Sequence, residues 1–237
     1  MIRKWITSFR DKVFGIDKLE YRMKNEQSYC FRELKAIQIL QPYFPKGYLF
    51  ESGFSLSFQT IQHIINDIIV YKPKVILEFG SGLSTIILNN FIRQNGLSVK
   101  LISIDDNLTW QKSLKDKCDL VDFFDFPLTQ SHPFSFEGKG SWYDIPDKHI
   151  LYDLEYDLVL VDAPKGSLSK LSRYGFIPFL EGKISEKGIV YIDDTHRVDE
   201  QKISELYLSS VAGSMTAKKF YKYTRFSADR TYYTSPS

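Results

Sequence analysis

Cysteine is nearly absent: Cys30 and Cys118 are the only two in 237 residues. Two thiols so far apart make neither a disulfide framework nor a metal cluster by themselves. They are expected as reduced, partly buried side chains of a cytoplasmic protein. Charge of one sign is lacking too, since 31 Lys and Arg face 29 Asp and Glu for a net of +2. That balance offers none of the strongly basic character that nucleic acid demands, so no nucleic-acid partner is expected. No stretch approaches the ~20 apolar residues of a membrane span. The start, Met1-Ile2-Arg3-Lys4-Trp5, has neither the apolar run nor the small-residue cleavage site of a secretory signal. Repeats and low-complexity tracts are missing as well. What is present, 43% hydrophobic and 25% charged residues, suits a folded globular chain.

Two regions differ in character. Residues 1–50 are expected to form an N-terminal helical extension, and residues 51–237 one α/β domain. Ile2, Trp5, Ile6, Phe9, Val13 and Phe14 recur at helical spacing with Arg3, Lys4, Arg10 and Lys12 between them. Such a basic amphipathic helix can rest on a membrane surface or a partner. Packing across its own domain or across a homodimer interface is the favoured reading.

Beyond residue 50, strands and helices alternate. Ser57 to Tyr71 carries Phe58, Ile61, Ile64, Ile65, Ile68 and Ile69 at helical spacing, and Pro73 stops it. Val75 to Phe79 is a buried strand, Gly80-Ser81-Gly82 a tight turn, and Ser84 to Gln94 a helix. Val99 to Ile104 then reads as a strand ending at Asp105, Asn107 to Lys117 as a helix, and Leu120 to Phe124 as a short strand. Leu158 to Asp162 and Ile189 to Ile192 are further strands, with helices expected over Leu168–Gly182 and Asp199–Ala212. This alternation predicts a Rossmann-like, doubly wound, mostly parallel seven-stranded sheet. Lys218 to Phe226 and Thr231 to Thr234 are rich in Tyr, Phe and Thr, with a turn placed at Ala228-Asp229-Arg230. They predict a C-terminal antiparallel hairpin.

In such a sheet, ligands bind beyond the carboxyl ends of the strands where the strand order reverses. The first such end is Glu78 to Thr85. Its glycines let backbone approach a ligand, and the helix that follows offers free N–H groups to a carboxylate or phosphate. A Gly-x-Gly turn alone fits nicotinamide and flavin proteins equally well. Here the dinucleotide pattern's third glycine is replaced by Thr85, and Glu78 stands two residues before the first glycine, placed to hold an ammonium group.

The run Leu77-Glu78-Phe79-Gly80-Ser81-Gly82-Leu83-Ser84-Thr85 resembles motif I of class I S-adenosylmethionine (SAM)-dependent methyltransferases. In particular it is similar to members with an LEFGSGxST loop, whose genes often concern surface polysaccharides. The resemblance implies a SAM-dependent methyltransferase, with Glu78, Gly80, Ser81, Gly82, Ser84 and Thr85 at the cofactor. Asp105 matches the acidic residue that binds both ribose hydroxyls in that family. Asp122 or Asp125 would stand near the adenine, with Asp125 taken for the cofactor set. Trp142-Tyr143, Val161-Asp162-Ala163-Pro164, Ser172-Arg173-Tyr174 and Ile192-Asp193-Asp194 also share in the resemblance. A nicotinamide-dependent oxidoreductase and a non-catalytic SAM-binding scaffold are the alternatives.

Methyl transfer to oxygen or nitrogen needs in-line positioning and removal of the acceptor's proton. Asp162 ends one strand, and Asp193, Asp194 and His196 follow another. In one reading, Asp162, Asp193 and Asp194 hold Mg2+, as in metal-dependent catechol and caffeoyl-CoA type O-methyltransferases, with Asp194 where those have Asn. In a second, no metal is used, Asp162 or His196 is the general base, and Arg173 or Arg197 steers an anionic acceptor. In a third, the Asp193-Asp194 pair merely caps the next segment and pairs with Arg197. The acceptor is expected to be a small polar molecule or, as the resemblance implies, a saccharide. The polar insertion Pro127–Lys148, with His132, Glu137, Trp142, Tyr143 and Asp144, is either a lid or an anchored loop. Phe54-Ser55-Leu56-Ser57 is placed near the cofactor edge. His63 is expected as a partly exposed helix residue, and His149 without evident partners.

Overall fold

The computed structural model describes residues 16–211, 213–228 and 233–236. The amphipathic pattern over residues 2–14 lies outside them. In chain order, the helices are α1 (Ile16–Leu40), α2 (Phe58–Tyr71), α3 (Leu83–Gln94), α4 (Leu108–Lys115), α5 (Phe176–Phe179) and α6 (Val198–Ser210). The strands are β1 (Val75–Phe79), β2 (Lys100–Asp105), β3 (Val121–Asp125), β4 (Leu128–Gln130), β5 (Ser141–Tyr143), β6 (Tyr156–Val161), β7 (Ile184–Ile192), β8 (Thr216–Lys219) and β9 (Thr224–Ser227).

The main sheet has seven strands in the order β3-β2-β1-β6-β7-β9-β8, and β4-β5 form a separate antiparallel pair. From β3 to β7 the neighbours run parallel; β9 joins antiparallel to β7 and to β8. The chain leaves β1 toward β2 on one side and later returns to β6 on the other. The order therefore reverses at β1, the crevice such sheets use for ligands.

Local chemistry sets the boundaries. Ser57 accepts the Thr60 N–H at 3.2 Å and caps α2, which ends at Lys72 in the left-handed region (φ 51) just before Pro73. Asn107 caps α4 by accepting the Trp110 N–H at 3.0 Å. In β1, Ile76 to Phe79 are all buried, as a central strand covered on both faces requires. Two apolar layers result. Leu77, Phe79, Trp142, Tyr143, Phe176 and Phe226 pack on one face, and Ile61, Ile64, Ile76, Phe91 and Tyr191 on the other.

Four expectations are corrected. A hairpin turns at residues 220–223, where Phe220 and Tyr223 stack at 4.6 Å and close the turn with a 2.8 Å backbone bond, within the segment Lys218–Phe226 expected as one strand. Residues 229–232 of the expected turn and second strand lie outside the described residues. Leu168–Gly182 is mainly turns, with one 3-10 turn at Ser172–Gly175 and the four-residue α5. His63 is fully buried, between the Tyr223 hydroxyl at 2.8 Å and the Thr234 hydroxyl at 3.1 Å. That burial, with Arg225 and Lys218 nearby, lowers its pKa to about 3, so it is a neutral core side chain. His149 does have partners, meeting Phe124 and Phe126 edge-on at 4.9 and 5.2 Å.

Within the insertion, Trp142 and Tyr143 are 0% exposed. Trp142 lies against Gly175, where a Cβ would stand 2.2 Å from the indole. These two aromatics therefore anchor the segment, and the lid reading does not apply to them.

Candidate functional site

The glycine loop is held from below. Gly80 has φ +103, and a Cβ there would approach the Ala163 Cβ to 3.0 Å, so backbone conformation and the neighbouring strand end both select glycine. Gly82 is extended, and a Cβ on it would meet nothing within 4 Å. The space over Gly82, in front of the first N–H groups of α3, is the cradle that a side chain would begin to fill.

Glu78 corrects the expectation made of it. It is fully buried beneath the loop, and its carboxylate accepts hydrogen bonds from the hydroxyls of Ser84, Thr85 (2.5 Å) and Ser103 (2.9 Å). Thr85 in turn accepts the Gly82 N–H at 2.8 Å. Glu78, Ser84 and Thr85 thus spend their polar groups on one another and brace the turn instead of facing a ligand's ammonium. Burial pushes the Glu78 carboxyl up to about 7, although the three hydroxyls oppose that rise. Ser81 is fixed from three sides. Its hydroxyl pairs with Ser103 at 2.8 Å and accepts from Gln111 at 3.1 Å, and its carbonyl accepts the Trp110 indole N–H at 2.6 Å.

Asp105, at the end of β2, accepts the Ser81 N–H at 2.9 Å and the Asn107 N–H at 2.8 Å, one on each oxygen. Lone pairs on both oxygens remain for a further donor. Asp125 is exposed at the end of β3, directly across from Asp105 in the strand register. Asp122 sits three residues upstream, paired with Lys100 at 3.7 Å, and so is removed from this edge. Phe50 lies 5.5 Å from the Trp110 ring, and Phe54 lies under the Lys165 ammonium at 5.2 Å. Lys165 had no signal in the sequence beyond its place three residues after Asp162.

Across β1, the ends of β6 and β7 bring Asp162, Asp193 and Asp194 together, with one oxygen from each within 4.8 Å of the others. The Arg173 guanidinium lies among them. It donates to Asp162 at 3.1 Å, to Asp194 at 3.2 Å, to the Asp193 carbonyl at 3.2 Å and to the Pro164 carbonyl at 3.3 Å. Being 4% exposed with its donors engaged, Arg173 does not steer an incoming acceptor, which corrects that expectation. Arg197, half-exposed, reaches Asp194 from outside at 2.9 Å, the ion pair one sequence reading foresaw. His196 is exposed two residues beyond Asp194. Burial raises Asp162 to about 7 against the pull of Arg173, and raises Asp193 well above the carboxylate range.

Magnesium demands near-ideal octahedral oxygen geometry at about 2.0–2.1 Å. Two of the three carboxylates already share a guanidinium, and within the cluster Asp193 Oδ1 is the carboxylate oxygen buried without a partner. As arranged, the cluster does not fit a resident divalent ion. Elsewhere, a hollow of about 420 Å³ opens beside Tyr71 and Lys74 at the opposite end of the sheet. Another of about 440 Å³ lies between α1 and the hairpin; neither includes the glycine loop.

No family model matches the chain, and no curated protein is similar to it. Among solved structures it is similar to the SAH-bound methyltransferase PaMTH1 of Podospora anserina, at 16% identity over 88% of this chain and 95% of that one, with a TM-score of 0.48. It is also similar to TomG of Streptomyces achromogenes, an O-methyltransferase involved in tomaymycin synthesis and solved with SAM. There the identity is 14% over 84% of this chain and 88% of that one, with a TM-score of 0.49. The functional reading rests on the chain's own strand order and side chains.

Proposed function

We propose that the chain is a SAM-dependent methyltransferase that methylates an oxygen of a small polar or saccharide acceptor. The observation that carries this is the braced Gly80–Thr85 turn at the strand-order reversal, with Asp105 on one side and Asp162 on the other. The open face of Gly82 and the N-terminus of α3 suit the carboxylate of an amino-acid moiety. Asp105 suits a vicinal diol, since its oxygens keep free lone pairs, and Asp125 stands beside it at the adenine end. When bound, SAM supplies a methyl group made electrophilic by its sulfonium.

The chain's residues do the rest by position and charge. Asp162 holds an oxygen at the edge of the crevice, and a carboxyl poised near 7 takes up a proton as readily as it gives one. His196 is the second proton acceptor at this edge, exposed where an acceptor enters. Arg197 and Lys165 put positive charge at the mouth, which favours an acceptor with an acidic group.

Calorimetric titration with SAM, S-adenosylhomocysteine and NAD tests the reading. Micromolar binding of the first two and none of NAD is expected. Gly80→Arg, which fills the turn, and Asp105→Ala, which removes the diol acceptor, are expected to weaken binding about tenfold or more. A folded wild-type chain that ignores SAM would sink the proposal, and NAD binding would favour an oxidoreductase. SAM binding without turnover on any acceptor would favour a scaffold.

A further inference from the structure

We propose that Arg173 is the resident cation of the Asp162–Asp193–Asp194 cluster and stands where a divalent ion would otherwise sit. Three carboxyl groups share this buried corner, and any of them that is ionised needs a counter-charge beside it, because burying an unpaired charge is costly. The guanidinium meets that need with a planar fork of donors, a shape a metal ion lacks. One of its nitrogens bridges Asp162 and Asp194 at 3.1 and 3.2 Å, while the other two hold the Asp193 and Pro164 carbonyls at 3.2 and 3.3 Å. Asp194, at φ +59, reaches both Arg173 and Arg197 with the same oxygen.

The segment that carries Arg173 is fixed independently of the cluster. Leu171 opens its turn in the left-handed region (φ 52), and its N–H donates to Asp199 at 3.1 Å. The Ser172 hydroxyl donates to the Lys165 carbonyl at 3.0 Å. Gly175 is pinned under Trp142, where even a Cβ would collide. Arg173 is therefore built into the corner and is not a mobile side chain that swings aside for an ion. Asp162 and Asp194 each commit one carboxylate oxygen to the guanidinium, and Asp193 Oδ1 is the oxygen of the cluster that is buried without a partner, whereas a divalent ion needs several ligands at once. The proposal concerns charge within the fold and does not rest on methyl transfer.

The test uses the full chain, freed of metals by chelation and titrated with Mn2+. Bound ion is read by electron paramagnetic resonance and stability by thermal melting. Wild type is expected to show no saturable binding up to millimolar Mn2+, and a melting temperature indifferent to Mg2+, Mn2+ or chelator. Arg173→Met empties the corner of its cation. It is expected to melt lower than wild type, to bind Mn2+ at least about tenfold more tightly, and to regain part of the lost melting temperature as the ion binds. Arg173→Lys keeps a charge in the corner and is expected to gain no Mn2+ affinity. Saturable micromolar binding by wild type, with a rise in its melting temperature, overturns the proposal. So does an Arg173→Met chain that folds by circular dichroism and binds no more Mn2+ than wild type. Should that variant not fold, the wild-type titration decides alone.

Discussion

Glu78 shows how a single side chain can serve a binding loop without touching a ligand. Its carboxyl stands near 7 in the folded chain against an ordinary value near 4.5. Folding therefore favours the protonated form. The sign follows: stability attributable to Glu78 is whole below pH ~4.5 and is lost as pH rises through ~7, by an amount on the order of 3 kcal/mol. Asp162, also raised, adds a loss of the same sign. Glu78→Gln cannot ionise, so the urea-unfolding midpoint of this variant should fall less than that of wild type between about pH 5 and 8. Equal slopes in the two proteins would show that the carboxyl is ionised throughout.

At the scale of elements, β1 and β2 were legible because a strand covered on both faces is a nearly continuous apolar run, and Val75–Phe79 and Leu101–Ile104 are such runs but for Glu78 and Ser103. The Glu78–Thr85 turn and its neighbour Asp105 were legible for a related reason, since both sit at strand ends whose positions those runs dictate. Leu168–Gly182 was not. Its apolar residues are spaced as in a helix, yet Leu171, Phe176 and Phe179 are buried in the same core cluster as Trp142, which lies 29 or more residues earlier, a relation that periodicity does not record. The hairpin was misplaced because aromatic and threonine residues favour strands generally, whereas the Phe220–Tyr223 stack uses two of them to make a turn. The role of Arg173 depended on these same unread turns. Gly175→Ala tests how tightly they are built: with the new methyl driven into the indole of Trp142, a loss of about 1–3 kcal/mol is expected. A thermal melt within about a degree of wild type would mean that the Trp142 contact is loose.

For the whole molecule, the buried pair Arg225–Asp67 ties the helix before β1 to the last strand of the sheet. Arg225 donates to both Asp67 oxygens at 2.6 and 3.2 Å, and the Tyr191 hydroxyl adds a third bond at 2.6 Å, all in full burial. Arg225→Met strands Asp67 among apolar neighbours and should lower stability by about 3–5 kcal/mol. Because the pair joins early and late parts of the chain, calorimetry should show one transition displaced downward, not a hairpin melting separately. The crevice lies at the far end of the same sheet and keeps its geometry only while that sheet is whole.

An arginine at the heart of an acidic corner also changes what the protein needs from its surroundings. A metal centre is filled by capture, and a site open to capture is open to whichever ion binds most tightly, copper before magnesium. Arg173 arrives with the chain, one copy per molecule, at the moment of synthesis. It cannot be starved, chelated or exchanged, so this corner is complete as soon as the chain has folded.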